Sequence, residues 1–299
     1  MFMNFREQLS REKRHFMSSY MPVHLTKELY KGNFGEKLDL KHPGSINEKL
    51  QYLKLHDYYN NPVVTNCIDK YRIRRYLTER GMTDLLPELY GAYNTPDQIP
   101  FEELPDQFVI KCNHGCGFNI ICKDKKTLDT EDCKKKLEHW LHQDYWKEFG
   151  ELQYKFIRKK IIVEQYLGDD ISTFKFYCFN GMPKVMYMSA NGENGEYDKY
   201  YDYFDMEWNH LDVSLHGHEN RPDWRTIQKP KNFGKMKQTA ALLCREFPFV
   251  RVDLYNIDGK IYISEMTFIP TGGFMHLTPE GTAEEWGSWL TLKTENGAK

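Results

Sequence analysis

The chain has 299 residues, of which 40% are hydrophobic, 15% aromatic and 28% charged, a composition that indicates a folded protein and excludes a disordered one. The formal net charge of −2 provides no basic field, so we expect no nucleic-acid partner. Seven scattered cysteines, an odd number in a chain of this length, argue against a disulfide framework.

Residues 1–95 are predicted to be a mainly helical region. The charged N-terminus lacks the apolar core of a signal peptide, and no apolar run approaches the roughly 20 residues of a membrane span. We therefore expect a cytoplasmic protein that is not a membrane protein. Ser45 and Glu48 have the spacing of a capping box, and a second helix is predicted from about Asp69 to Arg80.

Residues 96–167 are predicted to combine strands with a glycine loop. Phe108 to Ile110 is a short apolar strand, Asn113 to Gly117 is the loop, and Asn119 to Cys122 is a second strand. A helix is predicted at about 131–147. The apolar strand Ile161 to Val163 then leads into Glu164, Gln165, Tyr166 and Leu167.

Residues 168–299 are predicted to be rich in strands, with one helix at about 233–246 and a polar surface loop at 209–232. Asn180-Gly181 is a hairpin signal. The glycine-rich sequence Thr271-Gly272-Gly273 follows the last strand. The predicted strands are 174–179, 185–188, 197–204, 249–255 and 260–268.

The last two strands carry the strongest chemical signal. Asp253 lies on one strand, and Glu265 and Thr267 share a face of the other. A two-residue turn at Asp258-Gly259 would place the two acids on opposite faces. A three-residue loop with glycine in third place would place them on the same face, and the position of the glycine favours this register.

Two neighbouring carboxylates repel each other, and a divalent cation removes that cost. Mg²⁺ takes oxygen ligands and shares them with phosphates, so Asp253, Glu265 and Thr267 are candidate metal ligands. The alternative is that Arg251 and Lys175 neutralise the acids in a salt-bridge network. The residues alone leave both interpretations open.

Two further segments could contact a nucleotide. Lys111 ends a strand directly before the glycine loop, which would aim one ammonium group and several backbone N–H groups at phosphates. The strand end at Glu164 could hydrogen-bond an adenine edge. Either feature alone is ordinary.

Taken in order, these pieces resemble the ATP-grasp superfamily, and more closely its TupA-like group, which is often encoded with surface-polysaccharide genes. The resemblance covers about residues 40–292 and rests on six blocks in order. The blocks are INEKLQYLK, IDKYRIRRYL, LPDQFVIKCNHGCG, FKFYCFNGMPK, FPFVRVDLY and GKIYISEMTF. It implies an α+β ATP-grasp fold with a mainly helical N-terminal region, and ATP held between two β-containing subdomains, 96–167 and 168–299.

The resemblance also implies roles for individual residues. Arg251 and Lys175 are the candidate catalytic residues. Arg251 would stabilise the charged intermediate, and Lys175, whose contact is not assigned, is also expected to bind ATP. Asp253, Glu265 and Thr267 would hold Mg²⁺, although Thr267 stands where many relatives have asparagine. Thr173 stands where an acid is usual. Asp169 and Asp170 both lie close enough to supply the ribose contact instead, and Asp170 is taken as the candidate. The other residues expected to bind ATP are Lys70, Lys111, Gly115, Gly117, Glu164, Gln165, Tyr166 and Leu167.

The expected activity is that of an ATP-grasp ligase, which joins a carboxylate to an amine through an acyl phosphate. The resemblance points to a sugar carboxylate of the uronic-acid type and an amino acid or peptide, in surface-polysaccharide biosynthesis. A phosphotransferase on the same fold and a glycosyltransferase are the alternatives. The sequence does not determine the oligomeric state.

Overall fold

The computed structural model describes residues 10–169, 171–189 and 200–293. These residues form helices and antiparallel sheets, which confirms the predicted α+β class. The helices are α1 (Arg11–Tyr20), α2 (Pro22–Phe34), α3 (Ile46–Leu55), α4 (Pro62–Ile68), α5 (Ile73–Thr78), α6 (Thr130–Leu141), α7 (Trp146–Phe149), α8 (Phe233–Cys244) and α9 (Thr282–Trp289). The strands are β1 (Leu89–Tyr93), β2 (Phe108–Cys112), β3 (Asn119–Cys122), β4 (Ile161–Gln165), β5 (Thr173–Phe179), β6 (Met182–Ser189), β7 (Asp202–Asp205), β8 (His210–Leu211), β9 (Ser214–Leu215), β10 (Phe249–Ile257), β11 (Lys260–Thr267) and β12 (Leu277–Thr278).

The chain divides into two compact units. The first unit comprises Met1–Leu29 and Asp57–Gly168, and the second comprises Tyr30–His56 and Asp169–Lys299. The division into three regions inferred from the sequence stays a prediction. Across the described ranges, no helix combines the length and the apolar character that crossing a membrane requires.

The first unit contains a four-stranded antiparallel sheet in the order β1-β4-β2-β3. Alternate residues of β2, namely Phe108, Ile110 and Cys112, are fully buried because they face the core. Helix α6 covers this core with Cys133 and Leu137. The sheet thereby fixes Lys111, which points away from the core, at the end of β2.

The helix predicted at about 131–147 is two helices, so that prediction was wrong in its extent. Helix α6 ends at Leu141, and the shorter α7 begins at Trp146. Asp144 lies between them and pairs with Lys147 and Lys159 at 2.7 and 2.8 Å. These pairs fix the connection, which sequence periodicity could not show.

Three other predicted elements differ from the observed ones. The helix predicted from Asp69 to Arg80 is reduced to α5, because the Asp69 side chain accepts a hydrogen bond from the backbone of Tyr71 and forms a turn. The segment 209–232, predicted to be a loop, contains β8 and β9. The strand predicted at 197–204 is observed as β7, and its predicted start lies outside the described residues.

The second unit contains a six-stranded antiparallel sheet in the order β11-β10-β5-β6-β7-β8. The predicted hairpin at Asn180-Gly181 is confirmed, since both residues have positive φ and Phe179 pairs with Met182. Helix α8 buries Met236, Ala240 and Leu243 completely, and it contacts β5, β6 and β10.

The hairpin between β10 and β11 does not have the three-residue loop that the sequence predicted. Ile257 pairs with Lys260, so the turn has two residues, Asp258 and Gly259, both at positive φ. In a regular hairpin this turn would place Asp253 and Glu265 on opposite faces of the sheet. A β-bulge at Ser264 shifts the register by one residue, so that Asp253 pairs directly with Glu265. The acids therefore share a face, as predicted, but for a different reason.

Helix α3 begins with the predicted capping box. Ser45 Oγ accepts a hydrogen bond from the N–H of Glu48 at 3.3 Å, and Glu48 Oε2 accepts one from the N–H of Ser45 at 3.1 Å. Beside this cap, helix α9 approaches so closely that a Cβ at Gly287 would overlap the carbonyl oxygen of Gly44 and lie 2.8 Å from the carbonyl carbon of Ser45. Only glycine fits at this contact.

We predict that Gly287→Ala lowers the free energy of unfolding by about 1–3 kcal/mol, because the added methyl group must push two backbones apart. Gly234→Ala is the matched control. Gly234 also lies in a helix, and a Cβ there meets no atom within 4 Å. Its replacement should raise the stability by up to about 1 kcal/mol through helix propensity. Thermal denaturation of both variants measures the difference, and equal melting temperatures would contradict the packing argument.

Candidate functional site

One row of polar side chains crosses four neighbouring strands of the second unit. Glu265 pairs with Asp253, Asp253 with Lys175, and Lys175 with Tyr187. Directly paired residues of an antiparallel sheet project from the same face. The sheet therefore places all four side chains side by side.

Arg251 lies two residues before Asp253 on β10 and joins this row. Its Nε and Nη2 donate to the two oxygens of Asp253, both at 2.7 Å. Nη2 also lies 3.3 Å from Glu265 Oε1 and 3.2 Å from Thr267 Oγ1. The predicted metal ligands and the predicted catalytic arginine thus form one cluster, which we call the Arg251 cluster (Lys175, Arg251, Asp253, Glu265 and Thr267).

Burial makes the charges of this cluster depend on one another. Asp253 is fully buried and Arg251 is 8% exposed. Lys175 Nζ lies 3.3 Å from Asp253 Oδ2. Burial lowers the pKa of Lys175, but Asp253 and Glu265 act together against it, and the pKa lies above its ordinary value. Burial also acts on Arg251, whose pKa is nevertheless raised by Asp253. Both groups stay cationic at neutral pH.

The oxygens of the cluster are suited to hold a cation. Three oxygens, one each from Asp253, Glu265 and Thr267, converge on Nη2 of Arg251 within 3.3 Å. A positive charge already occupies the point where they meet. Among the described residues, no group of three or more His, Cys, Asp or Glu side chains could hold a metal ion. A metal here would depend on two carboxylates and the Thr267 hydroxyl, and it would compete with Arg251.

Helix α3 fixes the loop that follows β11. Asn47 Nδ2 donates to the carbonyl of Met275 at 2.9 Å, and its Oδ1 accepts from the N–H of Met275 at 2.8 Å. Gln51 Nε2 donates to the carbonyls of Gly272 and Gly273. Thr271, Gly272 and Gly273 all have positive φ, which is uncommon for threonine. The polar side of α3 holds this strained loop four residues beyond Thr267.

A second cluster of charges lies in the first unit. Glu164 is 5% exposed and accepts from Lys111 Nζ at 2.8 Å and from Arg74 Nη2 at 2.6 Å. Burial raises the pKa of Glu164, but Lys111 and Arg74 outweigh it and leave the pKa below its ordinary value. The carboxylate is therefore ionised at neutral pH. Glu164 is the first residue of the segment predicted to bind adenine. It therefore forms an ion pair with Lys111, which is predicted to bind phosphate.

Lys70 contacts the glycine loop directly. Its Nζ donates to the carbonyl of Gly115 at 2.7 Å. A Cβ at Gly115 would meet the rings of Phe118 and Tyr145 at 2.7 and 3.0 Å, so glycine is required for this close packing. Gly117 has φ 77°, which also favours glycine. These contacts bring Lys70 together with the loop.

The remaining predicted nucleotide contacts lie at and after the end of β4. The N–H of Gln165 donates to the carbonyl of Glu88 at 2.9 Å. Tyr166 and Leu167 follow the strand and are partly buried. Asp170, predicted to contact ribose, lies outside the described residues. Their roles stay predictions.

Sequence reasoning assigned no role to several residues that shape these clusters. Arg74 lies within the block IDKYRIRRYL, but no local pattern of the sequence indicates its pairing with Glu164. Asn113 anchors the start of the glycine loop, because its Nδ2 donates to Asp69 Oδ1 at 2.8 Å. Asn47 and Gln51 lie four apart on a helix, a spacing that places both on one side. Two uncharged polar residues at this helical spacing were the available signal.

Two solved ligase structures are similar to this chain, and the first of them supports the fold. The L-amino acid ligase from Bacillus licheniformis superimposes with a TM-score of 0.50 at 14% identity, over 85% of this chain and 56% of that one. The D-alanine–D-alanine ligase from Helicobacter pylori has a TM-score of 0.47 at 14% identity, over 83% of this chain and 70% of that one. This chain thus spans a little over half the length of the first relative. Curated protein sequences gave no match.

A sequence profile of the TupA-like ATP-grasp family matches residues 48–291, which include both charge clusters and most of the chain. This match confirms the resemblance inferred from the six sequence blocks. The chain belongs to the TupA-like ATP-grasp family.

Proposed function

We propose that the protein is an ATP- and Mg²⁺-dependent ligase that joins a carboxylate to an amine through an acyl phosphate. The Arg251 cluster is the observation that carries this proposal. It offers converging oxygens that would hold a cation in place of Arg251, and a guanidinium that would then be able to bind an oxyanion. Family membership supports ATP as the phosphoryl donor.

The proposed reaction has two steps. A carboxylate oxygen of the substrate attacks the γ-phosphorus of ATP, the bond to the β-phosphate breaks, and ADP leaves. The amine then attacks the acyl carbon, the C–O bond to phosphate breaks, and the nitrogen loses a proton. Each step moves negative charge between oxygens, so catalysis depends mainly on positioning and on fixed positive charge.

We assign roles in each unit from the contacts found there. In the second unit, Asp253, Glu265 and Thr267 would hold Mg²⁺, which would offset phosphate charge when bound. Arg251 would then bind the acyl phosphate, since a guanidinium pairs with two oxygens at once. Lys175 Nζ lies 3.3 Å from Asp253 Oδ2. It would remain beside this carboxylate when Arg251 leaves it to bind the acyl phosphate.

In the first unit, Lys70 and Lys111 would bind phosphates. Each already contacts a group of the proposed nucleotide-binding segments, namely Gly115 and Glu164. Gly115 and Gly117 would let the loop approach phosphate closely. The backbone of Glu164 to Leu167 would bind adenine, and Asp170 would contact ribose.

The substrates are proposed from the family. We propose a uronic-acid-type sugar carboxylate and an amino acid or short peptide, used in surface-polysaccharide biosynthesis. Such a reaction would take place in the cytoplasm, where ATP is supplied. All seven cysteines lie in the described part of the chain and none of them forms a disulfide, which fits a reducing compartment.

We predict that Mg-ATP raises the melting temperature, because a ligand that binds the folded state stabilises it by mass action.

Lys111→Met should weaken ATP binding by about tenfold, the effect of losing roughly 1.4 kcal/mol from one charged hydrogen bond. Calorimetry with a non-hydrolysable analogue measures both affinities. Lys136→Met is the control, since Lys136 forms an exposed pair with Asp132 in the same unit. Equal affinities in the two variants would overturn the role of Lys111.

We predict that Arg251→Lys lowers turnover by about one to three orders of magnitude and leaves ATP affinity nearly unchanged. Lysine cannot form the paired hydrogen bonds that Arg251 makes. The substrate pair is first identified by ADP release over amino acids and uronic or nucleotide-sugar acids. Arg245→Lys, an exposed position in the same unit, is the control. A variant as active as this control would show that Arg251 serves folding only.

Hydroxylamine distinguishes the ligase from a phosphotransferase. In the ligase it attacks the acyl phosphate of the identified carboxylate and yields a hydroxamate. ATP consumption with a phosphorylated hydroxyl product and no hydroxamate would decide for the phosphotransferase.

A further inference from the structure

Every polar group of Asn113, at the start of the glycine loop, is hydrogen-bonded. Its N–H donates to the carbonyl of Lys160 at 3.0 Å, and its carbonyl accepts from the N–H of Lys70 at 3.4 Å. Its Nδ2 donates to Asp69 Oδ1 at 2.8 Å and to the carbonyl of Arg158 at 3.0 Å, and its Oδ1 accepts from the N–H of Lys160 at 2.7 Å. Because Asn113 is fully buried, water cannot replace these bonds.

The side chain of Asn113 takes the place of its own backbone carbonyl in the sheet. Strands β2 and β4 pair as far as Cys112 and Ile161, and Asn113 and Lys160 come next. In a hydrogen-bonded antiparallel pair the two backbones exchange both N–H···O=C bonds. Here Asn113 donates to Lys160 through its backbone, but Lys160 donates to Oδ1 of the side chain. The backbone carbonyl of Asn113 is thereby left to accept from Lys70.

Asp69 ties the same side chain to the residue that precedes Lys70. It is 1% exposed, and its Oδ1 also accepts from the N–H groups of Tyr71 at 2.8 Å and Arg72 at 3.2 Å. These bonds fix the backbone on both sides of Lys70. The ammonium group of Lys70 in turn donates to the carbonyl of Gly115. Lys70 therefore contacts the glycine loop at its backbone and at the tip of its side chain.

We propose that Asn113 is a positioning residue that fixes where the ammonium group of Lys70 meets the phosphates of ATP. This inference rests on the proposed function, because it takes Lys70 as a phosphate ligand. Only an amide suits the position, since it accepts from Lys160 while it donates to both Asp69 and Arg158. An ionised carboxylate has no proton to donate, and a hydroxyl has one proton for two acceptors.

A role in folding alone would give a different result. Loss of the five bonds would then lower the stability of the chain, and any effect on ATP binding would add to the effect of losing Lys70. If Asn113 acts through Lys70, its removal has no further effect on ATP affinity once the ammonium group is gone. A double-mutant cycle separates the two cases, because residues that act through one another are not additive.

The experiment is calorimetry of the full chain with Mg²⁺ and a non-hydrolysable ATP analogue. We expect Asn113→Ala and Lys70→Met each to weaken binding roughly tenfold. The double variant should also lose about tenfold and not about a hundredfold. An additive loss, or an unchanged affinity in Asn113→Ala, would overturn the proposal. If the unaltered chain does not bind the analogue, the proposed function itself is wrong.

Asn61→Ala is the matched control. Asn61 Oδ1 accepts from the N–H groups of Val63 and Val64 at the start of α4, in the same unit. Loss of this cap should lower the melting temperature and leave the affinity for the analogue unchanged. If Asn113→Ala does not fold, Asn113→Ser takes its place in the cycle. If neither variant folds, the bonds of Asn113 serve folding and the proposal is wrong.

Discussion

Arg251 and Asp253 form a buried ion pair on β10, joined by two hydrogen bonds of 2.7 Å. A buried charge without a partner is strongly unfavourable, so neither side chain can be left alone in this position. Lys175, Glu265 and Thr267 share the remaining charge and hydrogen-bonding capacity of the pair. An isolated buried pair of this kind often adds little stability. We propose that in this protein the pair belongs to a group of charges that binds a cation and an oxyanion.

The geometry of that group depends on one extra residue. The two-residue turn at Asp258-Gly259 would place Asp253 and Glu265 on opposite faces, and the bulge at Ser264 restores them to the same face. Bulges commonly reorient side chains next to functional sites. Helix α3 adds a further constraint, because Asn47 and Gln51 hold the strained backbone from Thr271 onward. Strain of this kind persists only where surrounding contacts fix it.

Local patterns were sufficient to predict much of the fold. The capping box at Ser45 and the hairpin at Asn180-Gly181 follow from residues close together in the sequence. The shared face of Asp253 and Glu265 was predicted from a three-residue loop that the structure does not have, and it depends on the bulge at Ser264. The bulge at Ser264 does not follow from nearby residues, because it depends on how both faces of the strand pack and not on the turn residues. Nor does the pairing of Arg74 with Glu164, which lie 90 positions apart. Contacts over such distances depend on how strands and helices assemble, and a single sequence does not encode them in its periodicity.

The central claim is that Mg²⁺ replaces the guanidinium of Arg251 between Asp253 and Glu265 when ATP binds. A crystal structure of the protein with Mg²⁺ and a non-hydrolysable ATP analogue tests it most directly. The account predicts that oxygens of Asp253 and Glu265 coordinate the metal and that Arg251 no longer makes both hydrogen bonds to Asp253. A bound nucleotide with the Arg251–Asp253 pair intact and no metal at these carboxylates would contradict it.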